Sequence, residues 1–172
     1  MTADWRARRI LLIGQAPGPT GPPPGRPLVG GKSGTFLQDL AGCPTLREYI
    51  KQFETRNVLD KYPGRSADGK GDRFPIREAR AAAEAMTPTL KGRRVIFVGH
   101  AVMAVFGHAK WLSAFEWRVE RHDPVEDALI EPLYDWAWVP HPSPVNRVWN
   151  YPETVEKAKA FFRQVKADWS TA

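Results

Sequence analysis

The segment RRVIFVG (93–99) constrains the fold most. It is an apolar run of strand length that passes without a linker into HAVMAVFG (100–107), a short helix ended by Gly107. The same alternation recurs along the chain. RILLIG (9–14) reads as a buried strand, followed by a long loop over 15–32. Ser33 is expected to cap a helix over 34–40, with Phe36, Leu37 and Leu40 on one face. LREYIKQF (46–53) suits a second short helix, and TRNVLDKYPG (55–64) a strand ending near Asn57, before the turn-rich SADGKGD. Pro75 opens an alanine-rich helix, IREARAAAEAM. EWRVERH (116–122) alternates like an exposed strand, and DWAWVPHPSP (135–144) is a strand stopped by prolines. Residues 152–168 form an amphipathic helix with Val155, Ala158, Phe161, Phe162 and Val165 facing inward.

Strands alternating with helices predict one α/β domain over residues 1–172, a three-layer α/β/α arrangement with a mainly parallel sheet. In such a sheet the binding crevice lies at the carboxyl ends of the strands. The loops after Gly14, Val58 and Val139 would converge there. Sixteen prolines and fourteen glycines cluster in residues 14–34 and at strand ends, which points to elaborate functional loops.

The formal charge of +6 suggests a polyanionic partner. The single cysteine, Cys43, excludes an intramolecular disulfide and any cysteine-only metal site. His100, His108 and His122 lack zinc-ligand spacing and read as structural. Neither a signal-peptide pattern nor a run of transmembrane length occurs, so the expectation is a soluble, intracellular, cytoplasmic protein with no membrane partner.

The glycine-rich stretch GQAPGPTGPPPGRPLVGGKSG (14–34) poses a nucleotide-binding question. A phosphate-cradling P-loop needs its first glycine five residues before the Gly-Lys pair. Counting back from Gly31-Lys32-Ser33, that place holds Arg26, and Gly25 is one position early. Prolines at 22–24 and 27 also remove N–H donors. A nucleotide triphosphate is therefore not expected.

Three segments in order resemble the uracil-DNA glycosylase superfamily. GQAPG (14–18) resembles its first motif and, with GRPLVGGKSGTFLQDL (25–40), is nearest the family-4 pattern. TRNVLDKYPG resembles the central strand and loop that carry an asparagine. HPSPVNRVWN (141–150) resembles the histidine loop, nearest the single-strand-selective branch. The resemblance spans residues 10–150 and implies a monofunctional DNA glycosylase that hydrolyses the N-glycosidic bond of uracil or a related deaminated or modified base, leaving an abasic site. It implies no cofactor and no metal. The alternative is a catalytically weak or inactive lesion-binding module of the same fold.

Such an enzyme extrudes the base from the stack into a reading pocket. The resemblance gives His141 as donor to the departing base's O2, Asn57 as the amide that reads the ring, and Gln15 as the residue holding water. The base pocket would comprise Gly14, Ala16, Pro17, Gly18, Leu28 and Asn57, and DNA would be met by Lys32, Ser33, Ser143, Pro144, Asn146 and Arg147. Trp149 is either a stacking platform or a half-buried packing residue.

Departures from the family pattern are specific. Ala16 stands where the most efficient enzymes have aspartate, and Gln15 where family 4 has glutamate. Glutamine holds a water but cannot take its proton. Asp60 is a substitute carboxylate to consider. Leu28 replaces the usual stacking phenylalanine. Gly18 stands where tyrosine blocks the C5 side of the base, which leaves room for a 5-substituted pyrimidine or a larger deaminated base.

Overall fold

The computed structural model describes residues 9–19, 27–69, 71–120, 133–143 and 145–170. Five strands form one sheet: β1 (Ile10–Gly14), β2 (Phe53–Asn57), β3 (Arg94–Val98), β4 (Arg118–Glu120) and β5 (Tyr134–Val139), in the order β2-β1-β3-β5-β4. All neighbours run parallel except β4, an antiparallel edge strand on β5. Helices α1 (Gly31–Leu40), α2 (Leu46–Gln52), α3 (Ile76–Met86), α4 (His100–Met103) and α5 (Pro152–Ser170) surround it. The expected α/β class with a mainly parallel central sheet is what the chain adopts.

Every residue of β1 and β3 is buried. That follows from a parallel sheet covered on both faces, whose strands read as continuous apolar runs. The two-residue period divides them between two cores. Ile10, Leu12, Ile96, Val98, Ala137 and Val139 face a cluster completed by Leu37 and Leu40 of α1, Tyr49 of α2 and Ala158, Phe161, Phe162 and Val165 of α5. Leu11, Ile13, Val95, Phe97, Trp136 and Trp138 face Ala79 and Ala83 of α3 and Val102 and Met103 of α4.

Two helical expectations change. Ser33 does not cap α1: the helix begins two residues earlier, at Gly31, behind Gly30, with no side-chain cap. Gly30 and Gly31 both take positive φ, 69° and 59°, so the double glycine turns the chain into the helix before serine is reached. The segment after β3 is α-helical only to Met103 and then widens into a π turn over Ala104–His108, where Gly107 has φ 92°. The sequence signal for a stop at Gly107 was sound, but the intervening hydrogen-bond pattern is not α. Arg121 and His122, the last two residues of the strand expected over 116–122, lie outside the described residues. Among the described residues, no helix is long and apolar enough to cross a membrane.

The chain order fixes where a ligand fits. From β1 the chain moves to β2 on one side and then crosses back to β3 on the other. The carboxyl ends of β1 and β3 therefore flank a topological switch point, where adjacent loops diverge and leave a crevice.

Candidate functional site at the strand ends

Gly14 ends β1 and pairs in register with Asn57, which ends β2. The ladder continues past both strands, with Val58 N–H donating to Gly14 O (2.9 Å) and Leu59 N–H to Gln15 O (2.9 Å). Asn57 is thus held on a rigid frame, not on a free loop. Its side chain leans inward over β1: a Cβ on Gly14 would stand 2.7 Å from Asn57 Oδ1 and 3.1 Å from Leu28 Cδ2. Asn57 and Leu28 both crowd the space where a Gly14 side chain would stand, and only glycine leaves room for this arrangement.

The second wall is built alike. Gly99 N–H donates to Val139 O (2.8 Å), carrying the β3–β5 ladder one residue beyond the strands. His141 follows two residues after β5 and folds back over β3: a Cβ on Gly99 would lie 3.3 Å from His141 Cβ and 3.6 Å from its Cδ2. Gly99 also has φ +106°, so glycine is needed there twice over. The backbone carbonyl of His141 accepts hydrogen bonds from Asn146 Nδ2 (3.0 Å) and Trp149 Nε1 (2.8 Å). Trp149 is itself held edge-on against Phe36 of α1, ring centroids 5.1 Å apart. One turn after Pro142 is thereby pinned to α1.

Among the described residues neither the Asn57 amide nor the His141 ring makes a side-chain hydrogen bond. Both are half-buried and lean over the ends of the adjacent strands β1 and β3 with their polar atoms uncommitted. Burial pushes the His141 pKa down, while the charge of Asp72 opposes that shift. The ring is therefore neutral near pH 7, with one N–H to donate and one lone pair. Asp72 is a residue the sequence reading missed. It sits in the loop between β2 and α3, where its backbone pairs with that of Arg65 in an isolated antiparallel β-bridge and Tyr62 Oη donates to its carboxylate at 2.9 Å. The signal was a carboxylate in a turn-rich loop, which sequence alone cannot aim at a histidine some seventy positions away. Asp60 is exposed just past the end of the ladder, and the carboxylate felt at His141 is that of Asp72.

The loop after β1 places Gln15, Ala16, Pro17 and Gly18 half-buried along the crevice. Nothing among the described residues lies within 4 Å of a Cβ built on Gly18. Leu28 has φ 56°, an unusual conformation for a branched residue. Its carbonyl lies beneath α1, so close that a Cβ on Gly34 would be 2.9 Å away. Lys32 is exposed and Ser33 half-buried in the first turn of α1.

The histidine loop divides its labour. Ser143 Oγ accepts from Val145 N–H (3.4 Å), and its carbonyl accepts from Asn146 N–H (2.9 Å), closing a turn. Asn146, expected to meet DNA, has both ends of its amide engaged inside the loop, with Oδ1 accepting from Val148 N–H at 3.3 Å. It braces the loop. Trp149 takes the packing role for the same reason. Pro144 lies outside the described residues. Val145, which the sequence reading passed over, is 77% exposed at the tip beside exposed Arg147 and Tyr151. An apolar residue flanked by Pro144 and Asn146 in a polar loop was its signal.

Cys43 is buried, and burial raises its pKa, which leaves it an unreactive thiol. The chain matches no protein-family model and no curated protein.

Proposed function

We propose that the chain is a monofunctional DNA glycosylase that hydrolyses the bond between deoxyribose and a deaminated or modified base, leaving an abasic site. The observation that carries the reading is the pair of inward-leaning, uncommitted polar side chains, Asn57 over Gly14 and His141 over Gly99. Asn57 ends β2 and His141 follows β5, strands three sheet spacings or about 14 Å apart, and the two side chains lean inward over β1 and β3 between them. A planar base with polar groups on opposite edges, plus a hydrogen bond of about 2.9 Å at each, fits between side chains so placed.

Departure of the base develops positive charge on the sugar and negative charge on the base. A neutral His141 donates its N–H to the base's O2 as that charge grows, a stabilisation concentrated in the transition state. The Asn57 amide offers a carbonyl and an N–H to the ring edge. Gln15 holds the attacking water without acting as base, so hydrolysis relies on charge stabilisation more than on proton removal. Leu28 contacts the base face, and the lack of any described residue within 4 Å of a Cβ on Gly18 favours a base carrying a C5 substituent or a larger ring. Exposed Val145 and Arg147 suit the gap left by the extruded nucleotide, and Lys32 with Ser33 suits a phosphate. No cofactor or metal enters this scheme.

The test is incubation with labelled oligonucleotides carrying uracil, 5-hydroxymethyluracil, thymine opposite guanine, hypoxanthine or xanthine, followed by alkali. Strand cleavage at one lesion supports the glycosylase and names its base. Tight lesion binding with no alkali-labile site would instead support the binding module that Gln15 and Ala16 favour.

A further inference from the structure

A second polar feature lies away from the crevice, at the far end of α1. There α1 and α5 enclose a hollow of about 300 Å³ lined by Asp39, Gly42, Lys159, Arg163 and Lys166. Lys159, Arg163 and Lys166 recur at i, i+4 and i+7 and so form one stripe of α5, alongside its buried stripe of Ala158, Phe162 and Val165. Three cations thus face one carboxylate lining the same hollow.

The cations are not consumed by capping α1. Its last carbonyls are already met by the backbone: Ala41 N–H to Leu37 O, Gly42 N–H to Asp39 O and Cys43 N–H to Gln38 O, at 2.9, 3.0 and 3.1 Å. Lys166 Nζ donates to Gly42 O at 2.9 Å, which fixes that charge in place. Lys159 pairs with Glu156 at 3.0 Å, an exposed contact of little strength. Arg163 is exposed and has no ion-pair or hydrogen-bond partner among the described residues. Three cations against Asp39 leave the hollow net positive, and a concavity of one sign concentrates anions.

We propose that this hollow is a phosphodiester site for nucleic acid flanking the extruded nucleotide; the assignment rests on the DNA reading above. α1 links the two places. Its first turn, with Lys32, stands beside the crevice, and its ten residues extend about 15 Å to the hollow. That distance corresponds to about four nucleotides along one strand at 3.4 Å each. Guanidinium and two ammonium groups match phosphate oxygens by charge-assisted hydrogen bonds.

The experiment measures fluorescence anisotropy of two undamaged oligonucleotides across a salt series, one just long enough for the crevice and one several nucleotides longer. The wild type should bind the longer one more tightly. K159Q/R163Q should lose that length gain and lower the salt slope by about one to two, one for each phosphate released. Arg163 is exposed and Lys159 half-exposed with only a surface partner, so thermal unfolding should match wild type, and Lys166 is kept because it secures Gly42. An unchanged slope and length gain in a folded variant overturns the hollow's assignment and leaves the DNA reading standing. Binding of inorganic phosphate at the hollow with no length effect overturns the strand assignment. Absence of binding by wild type to either oligonucleotide at low salt overturns both readings.

Discussion

Gly14→Ala and Gly18→Ala are the same chemical change four residues apart, and they should have opposite outcomes. The added methyl at position 14 meets Asn57 Oδ1 at 2.7 Å, about 0.7 Å short of the 3.4 Å at which ordinary contact begins. Leu28 Cδ2, at 3.1 Å, closes the other escape. Gly14 does not have positive φ, so alanine suits the backbone, and its lower chain entropy offsets part of the clash. Asn57 yields by rotating its amide away. A misplacement approaching 1 Å costs a positioned group on the order of 100-fold in rate. Gly14→Ala should therefore lower base release by about 10- to 100-fold while changing the unfolding free energy by less than about 1 kcal/mol. Gly18→Ala, with no described neighbour within 4 Å, should retain the rate on uracil. The assay is single-turnover release from the best oligonucleotide of the lesion panel, beside urea unfolding of each variant. Equal rates for wild type and Gly14→Ala would refute the idea that Asn57 works from its place above β1.

Gly34→Ala should destabilise the protein by about 1–3 kcal/mol despite alanine's better helix propensity, because its methyl meets backbone at Leu28 O and Val29 C, both at 2.9 Å; a raised urea midpoint would contradict this. Trp149→Phe keeps the ring against Phe36 but removes the donor to His141 O, so stability should fall by about 1 kcal/mol and base release several-fold, measured in the same two assays. An unchanged rate would show that the loop needs no such tether. His108 is buried, stacked on Trp136 at 4.0 Å and bonded to Tyr134 Oη at 3.0 Å, and burial lowers its pKa from 6.5 to about 4. Because the folded value lies below the unfolded one, its stabilisation is full above about pH 6.5 and is lost as pH falls towards 4. The loss is at most about 3 kcal/mol, and Glu120, 3.7 Å from Nδ1, offsets some of it. Urea unfolding of wild type and His108→Phe across this range should show a steeper decline in wild type; parallel curves would contradict the assignment.

The centre of the sheet was legible because β1 and β3 are buried on both faces and carry no competing helical period. RILLIG and RRVIFVG became β1 and β3 within a residue at each end. The start of α1 was not legible, because a serine in the right place for a cap competes with a preceding double glycine whose φ values no side chain announces. Within the site, Gln15, Asn57 and His141 were legible as strand-end positions because each sits in a short local motif beside an apolar run. What sequence could not supply was direction. Asn57 ends β2 and Asn146 lies in the loop after β5, yet the amide of Asn146 is tied to His141 O while that of Asn57 stands uncommitted over Gly14. Asp72 reaches the neighbourhood of His141 only through a loop fold, and no local pattern encodes that approach.

The most direct test of the site compares His141→Ala with wild type in two measurements on one lesion oligonucleotide: the rate of base release at saturating protein and the dissociation constant. If His141 donates to the departing base, the rate should fall by about 100- to 1000-fold, and affinity should change far less. Equal losses in rate and affinity, or a rate that does not fall, would contradict the role given to His141 and with it the proposed chemistry of the crevice.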